Sequence, residues 1–243
     1  MKRKDSMIQV IGWLIILATI ISPVLLSAKT LRGNGNQVVL KKNVTDFDKL
    51  RISHTFDARI DYGREYSVVV KVDENLKDYL IVKKKGNTLV VGMENGHSYR
   101  NSHLEVAITM PDIRKLGISG ASTAAIDGFD FDHDMHVGLS GASQIVGTIK
   151  TGDLKMNLSG ASDVTLKGTG RNLLINASGA STVRMDDFSV MDADLNLSGA
   201  SKCLLNVDGE MDIHASGASK VKYCGKGQIN SIDISGASKV RRM

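Results

Sequence analysis

The tetrapeptide Ser-Gly-Ala-Ser occurs seven times in the second half of this 243-residue chain and constrains its fold more than any other feature. Successive copies begin 18 to 21 residues apart, a spacing too regular for chance. Their first residues are Ser119, Ser140, Ser159, Ser178, Ser198, Ser216 and Ser235. Self-similarity at a nearly fixed period indicates a repeat architecture, in which each unit packs mainly on its neighbours.

Apolar and polar residues alternate on both sides of each word, as in strands that bury one face. Met156 and Leu158 precede one word, with Asn157 between them, and Val164 and Leu166 follow it. We expect the alanine of the word to face inward, so that the inward set shifts by one residue and the chain bends. Glycine supplies the permissive backbone for this bend. The predicted corner glycines are Gly120, Gly141, Gly160, Gly179, Gly199, Gly217 and Gly236.

Two short strands, a corner and a glycine-containing turn in about 19 residues predict one coil of a parallel β-helix. The fold class is therefore all-β: a single-stranded solenoid whose seven word-bearing coils form a rod roughly 30 Å long. No segment has a helical period, which excludes helical solenoids. The outward positions hold Asn, Ser, Lys and Asp, which excludes a transmembrane barrel with an apolar outer band. Asn157, Asn176 and Asn196 should stack as an outward amide ladder.

Residues 29–115 lack the word but are also rich in strand patterns, such as Phe56, Ala58, Ile60 and Tyr62. Further strands are predicted at 68–72, 79–82, 89–91 and 104–110, with one helical turn at 73–78 and a polar loop at 92–103. We assign 29–243 to one β-helix domain, in which 29–115 form irregular N-terminal coils and 116–243 the regular repeats. A separate small β-domain at the N-terminus is the alternative.

Residues 1–28 have the layout of a secretory signal peptide. Lys2, Arg3 and Lys4 form a positive start, an apolar run follows, and Ser27-Ala28 closes the segment on small residues. The run approaches the roughly 20 residues that span a bilayer, so an uncleaved membrane anchor is the alternative. Either reading predicts export to the periplasm, the outer membrane or the cell surface, with membrane contact only through an uncleaved leader.

The chain has two cysteines, and an even pair in an exported protein suggests a disulfide. The repeat opposes this, because Cys203 takes the inward place of Val221 in the next coil, whereas Cys224 has the opposite parity. We therefore expect two unpaired thiols.

The residues resemble the bacterial family described as "putative auto-transporter adhesin, head GIN domain". The resemblance covers about 33–240 and rests on the words Gly33-Asn34-Gly35-Asn36, Asp46-Phe47-Asp48-Lys49-Leu50 and Val72 to Tyr79, together with the Ser-Gly-Ala-Ser series. It implies an exported, right-handed β-helix with an adhesin label. It supplies no catalytic residues, and the label itself derives largely from the fold.

Enzymatic and metal chemistry find little support in the sequence. A nucleophile elbow needs Gly-x-Ser-x-Gly, whereas here glycine directly follows the first serine; we expect the hydroxyls to bond local backbone instead. Asp130, Asp132, His133, Asp134 and His136 crowd one turn, but without a calcium-loop spacing, and we read them as a solvated acidic turn. We expect no catalytic residues, no metal site and no cofactor.

The formal net charge of +5 is no signature of nucleic-acid binding, which would need a clustered basic face. Arg and Lys are dispersed along the sequence, so we expect no clustered basic face and no nucleic-acid partner. Lys239, Arg241 and Arg242 end the chain, where they could resist edge-to-edge aggregation or lie at a partner interface. We expect a non-enzymatic adhesin or scaffold that presents an extended β surface to an unidentified glycan, envelope protein or host protein. A homo-oligomer is compatible with this. The alternatives are a periplasmic envelope-homeostasis module and a polysaccharide-active enzyme.

Overall fold

A computed structural model describes residues 29–243 of the protein. The predicted leader at 1–28 lies outside the described residues. Strands make up 62% of the described residues and helix 3%, and the stacked parallel coils form a β-solenoid. Six steps separate the first Ser-Gly-Ala-Ser corner from the last.

Nine strands lie between residue 29 and the regular repeats. They are β1 (Lys29–Arg32), β2 (Gln37–Lys41), β3 (Lys49–Ile52), β4 (Asp57–Tyr62), β5 (Ser67–Asp73), β6 (Leu80–Lys85), β7 (Thr88–Met93), β8 (His97–Arg100) and β9 (Leu104–Met110). A 3₁₀ helix, Glu74–Tyr79, joins β5 to β6 where a helical turn was predicted. The predicted strands of this region are present, but the prediction of a plain loop at 92–103 is wrong, because it contains β8, which pairs with β1.

Each regular coil contributes two strands, one before the word and one after it. The strands before the word are β10 (Lys115–Ile118), β12 (Met135–Leu139), β14 (Leu154–Leu158), β16 (Asn172–Ala177), β18 (Asp192–Leu197), β20 (Glu210–Ala215) and β22 (Gln228–Ile234). Those after it are β11 (Thr123–Asp130), β13 (Gln144–Lys150), β15 (Asp163–Thr169), β17 (Thr182–Val190), β19 (Lys202–Val207), β21 (Lys220–Cys224) and β23 (Lys239–Arg242).

These strands build two long sheets that face each other across one core. The first sheet holds the strands before the word, in the order β22-β20-β18-β16-β14-β12-β10-β3-β7-β6. The second holds the strands after the word, in the order β2-β5-β9-β4-β11-β13-β15-β17-β19-β21-β23. Equivalent positions of successive coils pair in parallel register, for example Asn157 with Asn176 and Asn176 with Asn196. The Asn176 amide donates to the Asn157 side-chain oxygen at 3.1 Å, which confirms the amide ladder at this step.

The N-terminal region extends the same two sheets. Strands β7 and β9 stack in parallel on β3 and β4. Beyond them, β6 is antiparallel to β7, and β5 is antiparallel to both β9 and β2. The antiparallel strands therefore cover the first end of the solenoid and replace an open parallel edge there.

The core is a continuous column of apolar side chains between the two sheets. Residues predicted to face inward are buried in almost every coil; Met156, Ile175 and Leu195, for example, are 0% exposed. In the last coil, Ile232 and Ile234 are instead 48% and 40% exposed. These two side chains have a coil on only one side, because no later coil covers them in the described structure.

Candidate functional site

The seven predicted corner glycines all lie at the bend between the two sheets. Their φ angles run from 70° to 82°, in the left-handed region that favours glycine. A Cβ atom at Gly120 would lie 2.3 Å from the His54 carbonyl oxygen, and one at any later corner 2.4–2.5 Å from the oxygen of the preceding corner glycine. The coils thus approach each other backbone to backbone along this edge, which favours glycine at the second position of all seven words.

The prediction that the alanine of each word faces inward is wrong. Ala161 and its counterparts are exposed, whereas the fourth residue of the word is buried, as Ser162 is at 1% exposure. The left-handed glycine rotates the chain so that the fourth residue keeps the inward parity of Leu158 and Val164. The buried alternation therefore continues across the corner without the predicted one-residue shift.

The buried serine hydroxyls are used inside the corner. In six coils, the fourth residue of the word donates its hydroxyl to the carbonyl of the first at 2.8–3.2 Å. The donors are Ser122, Ser143, Ser162, Ser181, Ser201 and Ser219. This confirms, for these six serines, the expectation that the hydroxyls bond local backbone. The first serine of each word lies closer to the surface and is exposed in most coils.

An eighth corner, which the sequence analysis missed, precedes the seven. Strand β3 pairs with β10 and β4 with β11, which places Ser53-His54-Thr55-Phe56 in register with the first word. His54 occupies the glycine position with φ 78°. The available signal was the spacing of Leu50, Ile52, Ala58 and Ile60, which matches that around the first word.

The His54 ring compensates for this unusual backbone conformation. The Met93 backbone N–H donates to its Nδ1 at 3.2 Å, and the Ser53 hydroxyl lies 3.0 Å from the same nitrogen. Partial burial lowers the pKa of His54, and a backbone hydrogen bond at Ser53 opposes this only in part. A neutral imidazole that accepts at Nδ1 therefore ties the first corner to β7.

Side chains of the acidic turn at 130–136 form ion pairs and hydrogen bonds with neighbouring residues. Lys150 Nζ lies 2.8 Å from an Asp130 oxygen and 3.8 Å from Asp132. His133 Nε2 contacts Asp112 at 2.5 Å. Among residues 29–243, no group of three or more His, Cys, Asp or Glu side chains is arranged to hold a metal ion.

A shallow acidic depression, which the sequence analysis also missed, lies on the outer face of the first sheet. Its volume is about 510 Å³. Its carboxylates are Asp134, Asp153, Asp192, Asp194, Glu210 and Asp212. The Arg171 side chain donates to Asp153 at 2.8 Å and lowers the pKa of that carboxyl. A general acid would need the opposite shift, so this carboxylate is suited to ion pairing rather than to acid catalysis.

The outer face of the second sheet changes its charge along the solenoid. In earlier coils, cations form ion pairs with carboxylates. The Arg59 nitrogen lies 2.7 Å from an Asp61 oxygen, and the Arg184 nitrogen lies 2.6 Å from an Asp163 oxygen. In the last three coils, five exposed cations alternate with the inward-facing residues of β19, β21 and β23; Arg242, a sixth, lies opposite the inward Tyr223. The five alternating cations are Lys202, Lys220, Lys222, Lys239 and Arg241, which we call the cationic ladder. The prediction of no clustered basic face is wrong here, because strand pairing gathers charges that are distant in sequence.

Both cysteines are free, as predicted. Cys203 pairs in register with Val221 and is buried, which raises the pKa of its thiol to about 12. The Cys224 thiol donates to the Leu205 carbonyl at 3.4 Å, and desolvation raises its pKa as well. Neither thiol is a reactive nucleophile at neutral pH.

Two motifs of the family resemblance, Gly33-Asn34-Gly35-Asn36 and Val72 to Tyr79, contact each other at the capped end, the N-terminal end of the solenoid that the antiparallel strands cover. Asp73 is fully buried and accepts the backbone N–H groups of Gly35 and His103 at 2.9 and 2.8 Å. The side chain of Asn75 accepts from the Asn34 backbone and donates to the Arg32 carbonyl. The buried carboxylate at Asp73 is therefore a structural fastener for the N-terminal strands.

The fold and its surfaces define a β-solenoid whose coils present continuous columns of side chains. Within residues 29–243, no helix is long and apolar enough to cross a membrane. The family model described as "Putative auto-transporter adhesin, head GIN domain" matches residues 46–227. The chain belongs to this family, as its resemblance indicated.

Crystal structures of bacterial proteins share the fold. One from Parabacteroides distasonis, named a putative lipid binding protein, has a TM-score of 0.73 and 18% identity over 88% of this chain and 100% of its own. One from Bacteroides fragilis, named a putative adhesin, has a TM-score of 0.71 and 18% identity over the same shares. A putative adhesin from Parabacteroides merdae has a TM-score of 0.65 and 16% identity over 89% of this chain and 100% of its own. No curated protein matches the sequence.

Proposed function

We propose that this chain is an exported, non-enzymatic adhesin or scaffold that presents an extended β surface to a glycan or protein ligand. The observation that carries the proposal is the pair of continuous outer faces, on which side chains repeat in register from coil to coil. A stacked array of this kind fits a long, repetitive or flat partner. The adhesin description of the family supports the same assignment.

The arrangement of polar groups supports a binding role over a catalytic one. The buried serines donate to backbone carbonyls, and the buried Asp73 accepts backbone N–H groups. The carboxylates at 130–134 are engaged by Lys150 and Arg171 or lie on an open surface. These groups serve as fasteners of the solenoid, and the exposed columns are free for a partner.

Protease shaving of intact cells tests the proposed location. The cells are treated with protease and immunoblotted for this protein and for a periplasmic control. We expect this protein to be lost while the control persists, which would justify a screen against glycans and matrix proteins. Protection equal to that of the control would overturn surface adhesion and favour a periplasmic envelope module.

Polysaccharide turnover would be the signature of the enzymatic alternative. Purified protein is incubated with envelope and matrix polysaccharides, and new reducing ends are measured for the natural chain and for Asp192→Asn, which lies in the acidic depression. We expect no turnover from either protein. Turnover that the substitution abolishes would overturn the non-enzymatic assignment.

A further inference from the structure

We propose that the cationic ladder is a binding surface for a linear anionic polysaccharide. This inference rests on the proposed function and names the ligand class. Lys202, Lys220 and Lys239 occupy one register position on three successive strands, and Lys222 and Arg241 occupy the position two residues further on. Paired strands are about 4.8 Å apart, so the ladder presents two parallel rows of positive charge along the solenoid axis.

The ladder differs from the middle coils of the same face in lacking negative partners. In earlier coils, Lys150, Lys167 and Arg184 each lie within 2.8 Å of a carboxylate oxygen. Among residues 29–243, none of the five ladder cations lies within 4.0 Å of a carboxylate. Their charges are therefore available to an external anion.

Stacking like charges directly opposite each other on paired strands opposes strand pairing. The solenoid nevertheless places Lys202 opposite Lys220, and Lys220 opposite Lys239. A ligand with regularly spaced negative charges would relieve this repulsion along the whole column. Three successive rungs match a polymer that carries a charge on each repeating unit better than they match a single small anion.

The shape of the face favours a polysaccharide over a nucleic acid. Single-stranded nucleic acids are held by aromatic side chains on which the bases stack. In the described strands β19, β21 and β23 the aromatic residue is Tyr223, which faces inward at 8% exposure, with Arg242 over its ring at 6.0 Å. A flat sheet also cannot enter the major groove of a duplex as a helix or a protruding ribbon does.

Binding to immobilised dextran sulfate, a linear sulfated glucan, tests the ladder, with neutral dextran as the uncharged control. The full chain is expressed with its leader, purified, and compared with the triple variant Lys202→Gln, Lys220→Gln, Lys239→Gln. We expect the triple variant to bind at least tenfold more weakly. The slope of log affinity against log salt concentration should become less steep by about 2–3, if each lost contact removes roughly 0.7–0.9 as it does for nucleic acids.

A second triple variant at the capped end controls for net charge. Lys41→Gln, Lys83→Gln and Lys85→Gln remove the same charge from exposed positions on β2 and β6. We expect this variant to bind as the natural chain does. A third variant, with arginine at the three ladder positions, should retain binding, because it keeps the charge and tests whether substitution alone perturbs the fold.

Three outcomes would overturn the inference: equal losses in the ladder and capped-end variants, loss of binding in the arginine variant, or tighter ladder-dependent binding of oligothymidylate or phosphatidylglycerol vesicles than of dextran sulfate. The result is separable from that of protease shaving. A surface-exposed protein that does not bind dextran sulfate would refute the binding role of the ladder alone. A protease-protected protein with ladder-dependent binding would refute surface adhesion alone.

Discussion

Replacing a corner glycine with alanine should separate the need for a left-handed backbone from the general effects of substitution. Gly160 lies in the middle of the corner series, with φ 76°. Gly138 lies in strand β12 and has no left-handed φ, and a Cβ added there would have no neighbouring atom within 4 Å. Gly160→Ala and Gly138→Ala therefore make the same chemical change in opposite backbone environments.

The structure sets the size of the expected difference. An L-residue in the left-handed region costs about 1–2 kcal/mol. The new Cβ at Gly160 would also lie 2.4 Å from the Gly141 oxygen, which accepts the Ala161 N–H at 2.8 Å. Displacing that oxygen weakens a bond worth a net ~0.5–1.5 kcal/mol. We expect Gly160→Ala to lower the free energy of unfolding by about 1.5–3.5 kcal/mol.

Gly138→Ala should have the opposite sign. It reduces the conformational freedom of the unfolded chain without a steric conflict, so we expect it to stabilise the protein by roughly 0.4–1 kcal/mol. Urea unfolding followed by far-UV circular dichroism gives both values if the denaturant slope is unchanged. Tyrosine fluorescence provides a second probe, and coincident transitions would justify two-state treatment of a solenoid that could unfold from one end.

The comparison between the two variants decides the outcome. An ordinary surface substitution changes the free energy of unfolding by up to about 0.5 kcal/mol. If Gly160→Ala differs from the natural chain by no more than this, the corner geometry does not require glycine. If Gly138→Ala is the more damaging change, the distinction between corner and strand glycines is wrong.

Three further predictions concern the corners and the thiols. Ser162→Ala should destabilise the protein by about 0.5–1.5 kcal/mol in urea unfolding, because it removes the hydrogen bond to the part-buried Ser159 carbonyl, while Ala161→Ser on the exposed side should be nearly neutral. His54 stabilises the fold as a neutral acceptor, so its contribution should be complete above its ordinary pKa of about 6.5 and be lost as the pH falls below that value. Thermal unfolding at pH 7.5 and 5 should show a smaller difference in His54→Gly than in the natural chain, and an equal difference would contradict this role. Ellman's reagent at neutral pH should leave Cys203 unmodified in the folded protein and label Cys224 slowly; mass spectrometry that finds Cys203 labelled first would contradict the burial order.

The strand pattern could be predicted from sequence because a period of two reports directly which face of a strand is buried. Within the word this approach failed at one position, because it predicted that the alanine rather than the fourth residue is buried. Alanine is the more apolar candidate, but the buried position belongs to Ser162, since the carbonyl that turns into the corner needs a hydroxyl donor. Hydrophobicity cannot reveal such a requirement, because the acceptor exists only once the chain has bent.

The first corner shows a second limit of the same approach. His54 replaces glycine there, and Phe56 replaces the buried serine, so the word itself is absent although the coil is present. The side chain of His54 makes a hydrogen bond to Met93, 39 residues away, which supports the left-handed backbone. Sequence identity is lost when another interaction takes over the role of a residue, whereas the apolar spacing around the corner is kept.

By itself, the sequence determined the class of fold, the direction of most strand side chains and the stacking of successive coils, because all three follow from a local period repeated seven times. Only the tertiary structure decided how charges on different coils combine. Lys202, Lys220 and Lys239 are 18 or 19 residues apart in the chain and neighbours on the sheet. Whether such residues pair with carboxylates or stand together unpaired depends on the register between strands, and register is a property of the folded solenoid rather than of any one repeat.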